Sequence, residues 1–198
     1  QRQMCIRDRQ PMWAGIMLAS MLGQIGLPGG GFGFGYSATN YIGGNFTVIP
    51  CKSLPQGKNK VGAFIPVARI TDMLLHPGEK FKFNGGDYHY PNIKLMYWAG
   101  GNPFHHHQDI NRLLQGWKNL DTIITNEWCW NALAKYSDIV LPCTIPLERE
   151  DIAMTPRDPF LISMDKVLTP YKDSLDDYEI FSRVAEKMGI KSEFTDNK

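Results

Sequence analysis

The run KLMYWAGGNPFHHHQDIN, Lys94 to Asn111, constrains this chain more than any other stretch. Ile93, Leu95, Met96, Tyr97 and Trp98 form a short, almost wholly apolar segment. That is the pattern of a parallel-sheet strand covered on both faces. Gly100 and Gly101 follow at once, and glycine lets the backbone take positive φ and approach a bulky group without a Cβ in the way. Asp109 is placed to cap a helix starting near Ile110, whose free N–H groups would face back toward the turn. A strand, a Gly-rich turn and a helix start in succession are the usual physical means of holding a phosphate.

The flanking sequence repeats the alternation. Thr122–Thr125 reads as a second strand ending at Asn126-Glu127, Trp130–Tyr136 as a brief helix, and Asp138–Leu141 as a third strand stopped by Pro142. Strand, helix, strand, helix, strand predicts an α/β fold with a partial parallel, Rossmann-like sheet and flanking helices. Before it, Phe81–Phe83 and Tyr88–Tyr90 alternate on either side of Asn84-Gly85-Gly86-Asp87, which predicts a small β-hairpin. Pro66 opens a short helix with Val67, Ile70, Met73 and Leu74 on one face, ended by Pro77-Gly78. Pro11–Ile25 has helical spacing with Gly26 at its end, and Phe160–Met164 is a further candidate strand. A last helix spans Asp176–Met188, with Asp173 or Ser174 as its cap and Gly189 beyond it.

In an open α/β sheet, ligands lie outside the carboxyl ends of the strands. Two strand ends could face one crevice here, Gly100-Gly101-Asn102 and Asn126-Glu127. Each asparagine offers an amide that donates and accepts. The bland alternative is a glycine turn with two strand-capping amides. His105, His106 and His107 are consecutive, so their side chains splay, which argues against one shared metal ion. Asp138 reads as a structural cap, and Glu148-Arg149-Glu150-Asp151 as a solvated charge cluster. Trp128 and Trp130 are expected to pack over the crevice rim.

The strings MLGQIGLPGGGFGFGY, YWAGGNPFHHHQDINRL and SDIVLPCTIPLERED resemble, in the same order, stretches of the dimethyl sulfoxide reductase family of molybdenum oxidoreductases. The resemblance runs from about Gln10 to about Gly189, and it is strongest to the branch that reduces trimethylamine N-oxide, dimethyl sulfoxide and biotin sulfoxide. It implies an internal fragment of a larger multidomain enzyme that transfers an oxygen atom from an N-oxide or S-oxide. It implies one molybdopterin guanine dinucleotide in the crevice, of the pair (the bis form) that binds molybdenum. On that reading Gly100, Gly101, Asn102, His106, Asn126 and Glu127 are cofactor-binding, with Glu148 and Arg149 nearby, tying two elements together by a bidentate pair. For the run of five glycines and two phenylalanines in Gly29–Tyr36, a loop beside the substrate funnel stands against a tight loop wrapped over aromatic neighbours.

The family's molybdenum ligand lies upstream of the segment matched here, so no catalytic residue is named, and the fragment alone is expected neither to hold molybdenum nor to turn over. Relatives are mostly periplasmic and some are cytoplasmic; the electron donor is unknown. The alternative function is an independent nucleotide-binding α/β module of another enzyme class, although the chain has neither GxGxxG nor a Walker lysine loop. The balance of 21 basic and 20 acidic residues gives no electrostatic reason for nucleic acid, and no apolar run suffices for membrane insertion. Four cysteines without a CxxC pair read, within the family-like region, as reduced and structural. By segment, residues 1–9 read as a non-native leader, 10–62 as a helix with a Gly-rich loop and an irregular connection, and 63–198 as an incomplete α/β dinucleotide-binding region.

Overall fold

The computed structural model describes residues 10–33, 61, 64–153 and 160–195. The leader at 1–9, the distal part of the Gly-rich loop and nearly all of the irregular connection lie outside the described residues. Helix α1 covers Gln10–Met21. It stops short of the expected Ile25 because Gly23, at φ 65°, turns the chain into a left-handed cap. There Gly23 N–H donates to Ser20 O at 3.0 Å and Gln24 N–H to Ala19 O at 2.9 Å. The Phe32 ring folds back onto this helix at Gly15, where a Cβ would come within 2.7 Å of the ring.

A 3-10 turn at Val67–Arg69 leads into α2, Ile70–Leu75, in which Met73 and Leu74 are buried. Val67 is exposed and does not share their face. Strands β1 (Lys80–Phe83) and β2 (Gly86–His89) pair antiparallel across a two-residue turn. Asn84 and Gly85 both take positive φ, 46° and 80°. That is the turn whose twist suits a two-residue hairpin, so Gly86 and Asp87 belong to the strand and not to the turn.

The central sheet has the order β3-β4-β5, from Leu95–Ala99, Thr122–Glu127 and Ile139–Pro142, all parallel. Between β3 and β4 run α3 (Pro103–His106) and α4 (Ile110–Trp117), and between β4 and β5 runs α5 (Ala132–Lys135). β4 is the buried member. β3 is covered on both faces only over its central residues: it is an edge strand of the described sheet, and Leu95 at its start is exposed. Strands β6 (Asp151–Ala153) and β7 (Ile162–Met164) form a second antiparallel pair. Helices α6 (Asp177–Lys187) and α7 (Lys191–Thr195) follow.

The core lies on one face of the sheet, where Met73, Leu74, Phe81, Tyr90, Phe104, Leu113, Trp117, Ile123 and Leu133 pack with Met96 and Trp98 against them. α4 approaches α2 closely because Gly116 has no side chain; a Cβ there would lie 2.8 Å from Leu74 Cβ. The opposite face carries Tyr97, whose ring centroid lies 5.2 Å from that of Phe181 on α6. The sheet is therefore covered from two sides at its β3 and β4 strands, which leaves the carboxyl ends of those strands as the place where a cleft can open.

Candidate functional site

β3 ends at Ala99, and Gly100 and Gly101 then take φ 73° and 71° in succession. This double left-handed step is what the glycines are needed for. A Cβ on Gly100 would meet nothing within 4 Å, so the space beyond it is open. Asn102 caps α3, its Oδ1 accepting from Phe104 N–H at 3.0 Å, with Pro103 at the first helical position. The expected geometry, with the Ile110 helix pointing its N–H groups at the turn, is not found. The short α3 intervenes, and Asp109, which does cap α4 by accepting from Arg112 N–H at 3.2 Å, borders a separate cleft with Arg69, Asp72 and Arg112.

On the neighbouring strand, Asn126 and Glu127 lie within β4 rather than beyond it, paired in the ladder with Leu141 and Pro142. Gly100, Gly101, Asn102, His106, Asn126 and Glu127 all line one cleft of about 660 Å³ at the ends of β3 and β4. Asn102 and Asn126 are both buried, at 8% and 5% exposure. They do not offer the same chemistry. Tyr97 Oη donates to Asn126 Oδ1 at 2.7 Å, and Asn126 Nδ2 donates to Asp177 Oδ1 at 2.7 Å. Asn102 spends its acceptor on the helix cap, and its Nδ2 is buried without a hydrogen-bond partner. An orphaned donor of this kind costs roughly 1–3 kcal/mol unless something fills the cleft and accepts from it. Thr144 Oγ1, also lining the cleft, is a second buried group without a partner.

Asp177 is the site residue that sequence reasoning missed. Asp176 caps α6, its Oδ1 accepting from Glu179 N–H at 2.8 Å, which displaces Asp173 and Ser174 from that role. The next residue, Asp177, is thereby turned to the cleft. Two consecutive aspartates at a helix start were the available signal: one serves as the cap and the other is free for something else.

The charge balance is acidic. Glu127 and Asp177 bring carboxylates, and Arg149 is the cleft's one guanidinium among the described residues. Arg149 donates from Nε to Asp151 Oδ2 at 2.9 Å and from Nη1 to Thr144 O at 2.8 Å. It makes no bidentate pair with Glu148. Instead Glu148 accepts from the N–H groups of Ile145 and Tyr171, both at 3.1 Å, and so ties two loops together. Burial, with the charges of Asp177 and Glu127, pushes the Cys143 thiol up to about 11. Burial, and then Asp177, likewise raises the Tyr97 hydroxyl. Both groups therefore stay protonated at neutral pH.

His106 lies on the cleft, His105 is exposed, and His107 is buried with its ring edge-on to Trp98 at 5.9 Å. Burial and the proximity of His106 lower the His107 imidazole. Trp128 borders the cleft and Trp130 does not line it, and both are largely exposed. Asp138 is structural, though it caps a strand and not a helix: its Oδ2 accepts from Ile123 N–H at 2.8 Å. Cys129 and Cys143 are free thiols. Among the described residues no helix is long and apolar enough to cross a membrane.

A family model described as molybdopterin oxidoreductase matches residues 8–187. The chain is 43% identical over 189 residues to a biotin sulfoxide reductase of Cereibacter sphaeroides, covering 96% of this chain and 25% of that protein. It is 44% identical over 207 residues to a dimethyl sulfoxide/trimethylamine N-oxide reductase of the same organism, covering 96% of this chain and 24% of the relative. A trimethylamine-N-oxide reductase of Haemophilus influenzae matches at 43% over 205 residues, with 96% and 24% coverage. The chain thus spans about a quarter of the length of these relatives.

Proposed function

The chain belongs to the molybdopterin oxidoreductase family, and from that premise we propose that it supplies part of the binding site for a molybdopterin guanine dinucleotide. We further propose that the complete enzyme reduces an N-oxide or S-oxide, as the names of its relatives suggest. The family's cofactor is a molybdenum-bearing molybdopterin. The bis form, with two guanine dinucleotides on one metal, is part of the proposal.

One observation carries the reading. The residues expected from two separate strand ends line a single cleft, and in it a buried amide donor, Asn102 Nδ2, has no partner. The donor set fits the nucleoside end of such a cofactor. Guanine presents N–H groups at N1 and N2 and ribose presents hydroxyls, all of which donate to carboxylates. Asp177 and Glu127 are the acceptors available for them. Charge-assisted bonds of this type are about twice as strong as neutral ones. Asn102 Nδ2, which has no partner in the protein, is the amide left to donate to a carbonyl or phosphate oxygen. Gly100 leaves open space for a phosphate, and Arg149 and His106 are the cleft residues suited to meet it, as the two carboxylates are not.

When bound, the cofactor supplies oxygen-atom transfer, leaving the amine or sulfide, while the oxygen departs as water with two electrons and two protons. The residues described here bind and orient. The test is to purify the full-length protein, determine molybdenum by elemental analysis and identify the nucleotide released by acid hydrolysis. Molybdenum accompanied by GMP, with dye-linked reduction of trimethylamine N-oxide or dimethyl sulfoxide, is the expected result. Release of CMP, or of no nucleotide, from an active molybdenum protein would overturn the guanine reading.

A further inference from the structure

We propose that Tyr97 is a positioning residue of this cleft, fixing the Asn126 amide and, through it, the Asp177 carboxylate that reads the base. The inference rests on the guanosine reading given above and adds to it a residue that does not line the cleft.

The direction of the hydrogen bonds forces the assignment. An ionised carboxylate only accepts, so the Asn126 group facing Asp177 Oδ1 at 2.7 Å is Nδ2. Oδ1 then faces Tyr97, whose hydroxyl must donate, again at 2.7 Å. Asn126 is buried, so an unpaired Oδ1 would have no water to turn to. With Tyr97 donating, the amide cannot rotate without leaving both partners.

Tyr97 also holds the helix that carries Asp177. Its ring packs against Phe181 at 5.2 Å, and Phe181 lies four residues after Asp177 on the same face of α6. One side chain thus touches α6 directly by its ring and indirectly by its hydroxyl. The register of β3 and β4 makes this possible. Tyr97 pairs with Ile124, so Asn126 lies two residues further along on the same face. Replacing the hydroxyl alone keeps the ring contact, which separates positioning of the carboxylate from docking of the helix.

The experiment uses full-length protein made in a host that cannot synthesise molybdopterin, titrated with guanosine diphosphate and inosine diphosphate. Inosine lacks the 2-amino group, so the affinity ratio reports how well a carboxylate meets the donor edge of the base. Wild type is expected to prefer guanosine diphosphate by about tenfold, the worth of one hydrogen bond to a charged group. Tyr97→Phe is expected to reduce that ratio by about threefold to tenfold. In an Asn126→Ala background the same substitution is expected to have no further effect on the ratio, because its route is gone. A purely structural role would weaken both nucleotides alike and leave the ratio unchanged, and that outcome overturns the inference while leaving the guanosine reading intact. A wild-type ratio near one overturns both.

Discussion

At the scale of single residues, Asn102 serves two purposes that substitution can separate. Its Oδ1 caps α3 and its Nδ2 is an orphaned donor in the cleft. Serine is an equally good cap and has no orphaned amide, so in cofactor-free protein Asn102→Ser is expected to be at least as stable as wild type. The same variant should weaken nucleotide binding severalfold. Asn102→Ala, which loses the cap too, should be about 1 kcal/mol less stable than Asn102→Ser, read by thermal or denaturant unfolding of the full-length protein. Equal stability of the two variants would mean that the side chain does something other than cap and donate. Cys143 gives a second residue-level expectation. With its thiol pushed up to about 11, the nucleophilic thiolate is scarce at neutral pH. Iodoacetamide at pH 7.5 should therefore label exposed Cys129 well before half-buried Cys143, as followed by peptide mass spectrometry. Faster labelling of Cys143 would contradict the burial and the acidic surroundings assigned to it.

At the scale of elements, the junction between α2 and α4 is held by more than apolar packing. Asp72 accepts from Arg69 Nη1 and Arg112 Nη2, both at 3.0 Å. Burial on its own would raise this carboxyl, but the two guanidiniums more than offset that and hold it below its ordinary value. A folded-state value below the unfolded one means stabilisation that is complete above the ordinary carboxylate range and is lost as pH falls through the folded value. Asp72→Asn is accordingly expected to lower stability by on the order of 1 kcal/mol at neutral pH, and to make less difference in strong acid. A variant as stable as wild type at neutral pH would contradict this. The same junction shows why one sequence expectation failed. Asp109 does cap a helix, but α3 uses up the chain nearest the glycine turn, so α4 starts beside Asp72 and not beside the cleft. Four residues of helix, the first of them a Pro, are too short to register as a period, so local pattern could not reveal them.

At the scale of the whole molecule, what was legible in the chain was what short-range physics dictates. Period-two alternation around Asn84-Gly85 marked the hairpin, and three apolar runs with helices between them marked the parallel sheet. The two strand ends were readable as one site because a parallel sheet brings its carboxyl ends to one edge. Asp177 was not readable. It joins the cleft from 51 residues beyond Asn126, and no local pattern records where a distant helix start will dock. The exposure of Leu95 was hidden for the same reason, since composition shows that a strand is apolar but not which strand becomes the edge.

The whole arrangement leads to one claim: the tips of β3 and β4 and the first residue of α6 together hold a guanosine group. The most direct measurement is the guanine nucleotide released from the full-length protein by acid hydrolysis, compared between wild type and an Asn102→Ser/Asp177→Asn variant, in which the side chain at 177 can still accept from Asn126. The account predicts that the variant releases less GMP per polypeptide than wild type, short by the share of this one site. Equal GMP release from the two proteins would contradict it.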